Sequence, residues 1–295
     1  MKTRFTLLAL LSAASATYTG YNLDAQRADG QCKTPLDWAA DLAAIRTFPN
    51  PTGGDLAVRV FASSDCGTLW NIAQPAMDAG IRVLAGVWAS DIDNHFSREK
   101  DALNGVIQLY GCGFLAAVSV GSEDLYRQEI PASRLAEQIY DVRGMVRQYG
   151  GACASVLITH TDTWTAWVDP ANTPVINAVD FLSNDAYPYY QGANIIDGGA
   201  TLATAINNVR AVAGGKPVWV GETGWPTAGA INGQAVPSVD NLQSYYRQAV
   251  CPGGPLHDIN YFLFGAFDHA NRAEGVEQSF GLANVNRQLK ISMTC

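Results

Sequence analysis

Short apolar runs recur along the whole chain, and stretches with helical spacing separate them. The strand-like runs cover residues 18–22, 57–61, 82–88, 114–120, 155–159, 180–183, 217–220 and 260–264. Several are apolar at odd and even positions alike, the pattern of parallel strands covered on both faces. Between them lie helices with readable ends. Thr34 is an N-cap, with Pro35 at the first helical position and Asp37 in the first turn of a helix over 35–47. Ser97 is expected to cap a helix ending near Gly111, and Ser133 one over 134–149 with Gly150 and Gly151 just beyond. Ser238 is expected to cap 239–250, which Pro252 stops. Eight strands alternating with helices predict an α/β chain folded as a single (β/α)8 TIM barrel. A doubly wound open sheet is the competing architecture. It calls for a Gly-rich first turn and often a cofactor fingerprint, and neither occurs; AGGKP at 213–217 lacks the spacing of a phosphate loop.

The chain begins MKTRFTLLALLSAASA. A basic start at Lys2 and Arg4, a short apolar stretch and the small residues Ala14, Ser15 and Ala16 predict a secretory signal peptide over 1–16. The catalytic domain is then 17–295. No later stretch has the ~18–20 apolar residues of a membrane span, and no hydrophobic tail of the GPI type closes the chain. The full chain carries a net charge of −8. Loss of Lys2 and Arg4 leaves 17 basic against 27 acidic residues, a net charge of −10. Such a surface disfavours nucleic acid and anionic membranes and suits a neutral substrate. The six cysteines, Cys32, Cys66, Cys112, Cys153, Cys251 and Cys295, are read as disulfides of an exported protein. Fifteen connectivities are open to six cysteines. The working choice joins elements near in sequence: Cys32–Cys66, Cys112–Cys153 and Cys251–Cys295. The four histidines show no metal-site spacing, so neither metal nor cofactor is expected. No GxSxG motif supports a serine hydrolase.

Two segments carry the chemistry. In FLAAVSVGSEDLYR at 114–127, an apolar strand runs straight into Glu123; in KPVWVGETGWPTAG at 216–229, another delivers Glu222. Charged groups beside such strands are costly unless paired or used. The C-terminal strand ends of a barrel are where catalytic groups sit. Two carboxylates brought there from different strands can divide the cleavage of a glycosidic bond between a proton donor and a nucleophile. The plainer alternative is that each only pairs with Arg59, Arg127 or Lys216.

VWVGETGWPTAG resembles the nucleophile signature of glycoside hydrolase family 17. The rest of the chain is similar to the fungal branch of that family, the secreted or cell-wall β-1,3-glucan endoglucosidases and glucanosyltransferases of the yeast Bgl2 type. The resemblance spans nearly all of 17–295. It includes GYNLDAQRADGQCK at 20–33, ASSDCGTL at 62–69, VWASDIDNHF at 87–96, VGSEDLYR, DTWTAW at 162–167, AYPYYQG at 186–192, SVDN and AFDH. It implies a (β/α)8 barrel and retention of configuration, with Glu123 as acid/base on the fourth strand and Glu222 as nucleophile on the seventh. Ser122 stands where many members have Asn. Gly265 stands where relatives commonly have Glu, and Asn271 and Arg272 fall near a Trp and a Lys of the yeast protein. The extra length that plant relatives spend on a subdomain is missing, which predicts a more open acceptor cleft.

Position relative to strand ends nominates further groups. Trp164, Tyr187 and Trp225 are candidates to stack on glucose rings. Asn22, Asp65, Asp91 and Asp162 are candidates to bind sugar hydroxyls or tune the glutamates. Trp38 and Trp70 lie in helical patterns and are assigned to packing. The expected protein is a secreted, extracellular or cell-wall monomer whose partner is β-1,3-glucan, acting by double displacement on water or on a second glucan. Two other readings stay open: a catalytically silent glucan-binding wall protein, and a barrel glycosidase for another β-linked polysaccharide.

Overall fold

A computed structural model describes residues 17–272 and 274–295, so the expected signal peptide lies outside the described residues. Eight parallel strands close a barrel in sequence order: β1 (Tyr18–Asn22), β2 (Asp55–Val60), β3 (Arg82–Val87), β4 (Leu115–Ser122), β5 (Ile158–Thr163), β6 (Leu182–Asp185), β7 (Val218–Thr223) and β8 (Tyr261–Leu263). The α-helices around it are α1 (Pro35–Ile45), α2 (Thr68–Ala79), α3 (His95–Tyr110), α4 (Ala132–Arg147), α5 (Trp164–Trp167), α6 (Thr173–Ala178), α7 (Gly198–Val212) and α8 (Val239–Val250). The (β/α)8 barrel is therefore the fold.

Two apolar regions hold it together. The larger lies between strands and helices, with Val58, Val83, Val118 and Val220 meeting Leu42, Ile72, Leu103 and Ile139. The smaller plugs the barrel, where Ala57, Leu84, Ala117, Phe181, Trp219 and Phe262 pack together. Phe181 and Trp219 stack there with ring centres 3.9 Å apart. Gly20 faces Phe262 so closely that any β-carbon would collide with the ring. Above this plug the barrel interior turns polar, and that layer forms the floor of the site.

The caps of α1 and α8 form as their sequences indicate. Thr34 and Asp37 make a reciprocal capping box, and the Ser238 side chain accepts from the Asn241 N–H. Two helix starts differ. α4 begins at Ala132 because the Pro131 carbonyl already accepts from Leu135, which leaves Ser133 inside the first turn. α3 begins at His95, after Asp93 and Asn94 turn through left-handed backbone. β5 also lies further on than 155–159, since residues Gly151–Ser155 form a 3-10 turn and the strand is the polar ITHTDT. Trp38 is buried, whereas Trp70 is 44% exposed and lays its ring over Gly105 of α3.

Three disulfides join Cys32 to Cys66, Cys112 to Cys153 and Cys251 to Cys295. Among the described residues no helix is long and apolar enough to cross a membrane.

Candidate active site

Glu222 lies within β7, directly opposite Asp185 of β6 in the strand register. Its carboxylate is almost fully buried and held at both oxygens. Arg59 of β2 donates to Oε1, and Tyr187 donates its hydroxyl to Oε2 at 2.6 Å. Arg59 is itself 1% exposed, and its guanidinium lies over the Phe61 ring. It is fixed by Asn22 Oδ1 at 3.2 Å and Ser122 Oγ at 3.0 Å. A buried guanidinium that bridges three strand ends sets the angle of the Glu222 side chain.

Glu123 follows β4 on a tight turn. Gly121 and Glu123 both have left-handed backbone, with φ of 78° and 57°. A side chain at Gly121 would run into the Asp124 carboxylate and crowd His160. For a glutamate this conformation is strained and needs outside support. The Glu123 N–H donates to Thr161 O at 2.8 Å, and Asp124 Oδ2 accepts from the Ser122 N–H at 2.7 Å. Asp162 Oδ2 accepts from the Leu125 N–H at 3.0 Å. Beneath the turn, His160 contacts Val120 O through Nδ1 at 2.7 Å and Asp162 Oδ2 through Nε2 at 2.8 Å. Both partners accept, so both ring nitrogens donate and the imidazole is cationic. Burial pushes the His160 pKa down, but the Asp162 bond and charge outweigh it and the net shift is upward.

Burial raises the Glu123 pKa, the neighbouring Glu222 charge raises it further and Arg127 opposes both, leaving it at about 7. Glu123 therefore holds its proton on the acid side of neutrality. A reaction that uses it as acid is expected to lose rate as the pH rises through about 7. Arg127 pairs with Glu123 at 3.1 Å and holds its pKa down. Replacing Arg127 with methionine should therefore move the basic limb of the pH–kcat/KM profile to higher pH. A limb that stays in place or moves down would show that Glu123 is not the titrating acid.

Both glutamates line one cleft with Phe61, Trp88, Tyr187, Tyr190, Arg272 and Phe280. On one side the groove continues past Phe61 and Trp88 to Asp65 and Asn271. On the other it runs past Tyr187 and Tyr190 to Tyr126, Trp164 and Gln191. The cleft is thus a trough open at both ends and edged by aromatic rings.

The nominated residues divide. Trp164 and Tyr187 line the groove, and Asp65 lies on its rim. Asn22, Asp162 and Trp225 are fully buried and bound elsewhere, which corrects their reading as cleft groups. Asn22 donates to Gly221 O at 3.0 Å and steadies Arg59, Asp162 ties down the Glu123 turn, and Trp225 donates to Val236 O at 3.0 Å under the β7–α8 loop. Asp91 is corrected too: it forms a two-pronged pair with Arg134 of α4 and lines none of the groove. The ion pairs of Glu222 with Arg59 and Glu123 with Arg127 both exist, yet both glutamates still face the cleft. Lys216 instead binds the carbonyls of Ile176, Asn177 and Val179. Arg59, Trp88 and Tyr126 were not singled out as site residues, although Trp88 ends its strand region as Tyr187 does. At Gly265 a β-carbon would meet His269, and Arg272 pairs with Asp24 and Glu277 along the groove.

Among the described residues, Asp65, His95 and Glu99 bring possible ligand atoms within 4.8 Å of one another. The Glu99 carboxylate already accepts from the N–H groups of Ser63, Ser64 and Trp88 and from the Ser64 hydroxyl. It anchors the loop after β2.

A closed parallel barrel with two glutamates from separate strand ends in one open trough defines a barrel glycosidase. Residues 16–281 match the BtgE/BtgC glycoside hydrolase domain. The chain belongs to that family, within the fungal branch of glycoside hydrolase family 17. It is 37% identical over 284 residues to a glucan 1,3-β-glucosidase of Schizosaccharomyces pombe, covering 92% of this chain and 85% of that one. It is 31% identical to a glucan 1,3-β-glucosidase of Saccharomyces cerevisiae, covering 93% and 90%. The crystal structure of a family 17 β-1,3-glucanosyltransferase from Rhizomucor miehei superposes with a TM-score of 0.82 at 28% identity, covering 94% and 98%.

Proposed function

We propose that this protein cleaves and rejoins β-1,3-glucan by double displacement, with Glu222 as nucleophile and Glu123 as acid/base. The observation that carries this reading is the pairing of two unlike glutamates in a trough open at both ends. Glu222 is buried and bonded by the Arg59 guanidinium and the Tyr187 hydroxyl. Glu123 keeps its proton up to about pH 7. Glu222 attacks the anomeric carbon while Glu123 gives its proton to the departing glucan oxygen, and a glycosyl-enzyme forms. Glu123, now ionised, takes a proton from water or from a hydroxyl of a second glucan, whose oxygen displaces Glu222. A trough admits the interior of a polymer and leaves space for an acceptor chain after the first half departs. The rings of Trp88, Trp164, Tyr126 and Tyr190 offer flat surfaces to the apolar faces of glucose. An active-site mutant of the Rhizomucor miehei enzyme was solved in complex with laminaritriose, which supports the substrate class. Three disulfides and the leader-like start of the chain support action outside the cell, at the wall or in the medium.

A time course on a single laminari-oligosaccharide, separated by chain length, tests the reading. Products both shorter and longer than the substrate are expected. Only shorter products would remove the transfer half. Cleavage of mannan or chitin oligosaccharides in preference to laminari-oligosaccharides would replace the substrate class.

A further inference from the structure

Asp185 is left over by this mechanism. It ends β6 opposite Glu222, is 2% exposed, and borders the half of the groove that holds Glu123 and Trp164. Among the described residues neither carboxyl oxygen has a hydrogen-bond partner. It packs against β7 so tightly that a β-carbon at Gly221 would lie 2.9 Å from Oδ1. The terminal nitrogens of Arg59 are bound to Glu222, Asn22 and Ser122. A buried carboxylate without donors is among the costliest groups a protein can hold, whereas a neutral carboxyl costs far less. We propose that Asp185 serves as an uncharged carboxylic acid beside Glu222, a positioning residue that leaves Arg59 to that one carboxylate.

The surroundings agree. Glu222 on β7, Glu123 after β4 and Asp162 on β5 bring negative charge towards Asp185, while Arg59 on β2 brings positive charge. Tyr187, two residues on, contributes a buried neutral hydroxyl. Burial is the largest influence on Asp185 and Glu222 the next, and together they push its pKa well up against the pull of Arg59. An ionised Asp185 would compete with Glu222 for a single guanidinium and loosen its aim. A protonated one sits beside Glu222 on the neighbouring strand and leaves the charge of Arg59 undivided. The inference rests on the double-displacement reading for its consequence, but its protonation can be measured without any turnover.

Titration of the wild-type chain with carbon-13 at its aspartate carboxyls decides the matter. One resonance is expected to keep the position of a protonated acid through the pH range in which Glu123 titrates, and to vanish in Asp185→Asn. If every aspartate resonance sits at the ionised position in that range, the proposal is overturned, whatever the enzyme does with glucan. Kinetics supply a second arm. Asp185→Ala should lower kcat/KM roughly tenfold or more, and Asp185→Asn, a neutral group of the same shape, should recover most of it with the basic limb of the pH profile unmoved. Removal of a real negative charge would instead carry that limb down by about one unit, which would also overturn the proposal.

Discussion

Replacing Glu222 with glutamine is expected to reduce kcat/KM on laminari-oligosaccharides by roughly 10⁴-fold or more, about 5 kcal/mol of transition-state stabilisation. The amide cannot attack the anomeric carbon, so no glycosyl-enzyme forms and every later step is lost. Glu123→Gln acts differently. It removes only the proton transfer, worth roughly 10²–10⁴-fold, and the loss depends on the leaving group. A laminaribiosyl fluoride, or an aryl glycoside whose phenolate leaves without protonation, should still load the enzyme in the Glu123 variant and fail to do so in the Glu222 variant. Single-turnover experiments with both donors separate the roles. If Glu222→Gln keeps activity within tenfold of the parent, or if the activated donor rescues both variants equally, the assignment fails.

These two glutamates were legible because each breaks an apolar strand at the end where a barrel builds its site. The rest of the site was less legible, for a physical reason. A strand end fixes how high a residue sits in the barrel, but not whether its side chain points into the cleft, under it or outward. Asn22, Asp162 and Trp225 are all at the right height, yet each turns beneath the surface to bond backbone or Arg59. Asp91 turns outward to Arg134. Arg59 was the converse case. In DLAVRV it reads as the polar step of an alternating strand, and only closure of the barrel brings β2 across from β7 and buries the guanidinium on Glu222. The polar strand β5 is displaced from its sequence reading because His160 and Asp162 are satisfied in part by Val120 and Leu125, 40 and 37 residues back in the chain, which no local pattern shows; β6 lies two residues beyond its expected span. The wide apolar runs of β3, β4 and β7 had no such ambiguity.

Arg59 is also where the site and the stability of the barrel meet. Arg59→Met is expected to remove the guanidinium bonded to Glu222 and, among the described residues, to leave its buried carboxylate with the Tyr187 hydroxyl. Breaking a buried pair from one side costs roughly 3–5 kcal/mol, and at about 2–4 °C per kcal/mol the midpoint of thermal unfolding should fall by roughly 6–20 °C. Turnover should fall as well, because the proposed nucleophile loses the group that aims it. Glu222→Gln in the same chain makes the diagnosis. Glutamine needs no counter-charge, so the Arg59→Met/Glu222→Gln double variant should be more stable than Arg59→Met, although it carries one change more. The cycle then gives a favourable coupling of about 1–3 kcal/mol between the two positions. If the losses simply add, the pair is not energetically joined, and the guanidinium holds the strand ends together through Asn22 and Ser122 without governing Glu222. If they do not, the charge that the proposed mechanism asks of Glu222 is one that the fold tolerates because β2 supplies its partner.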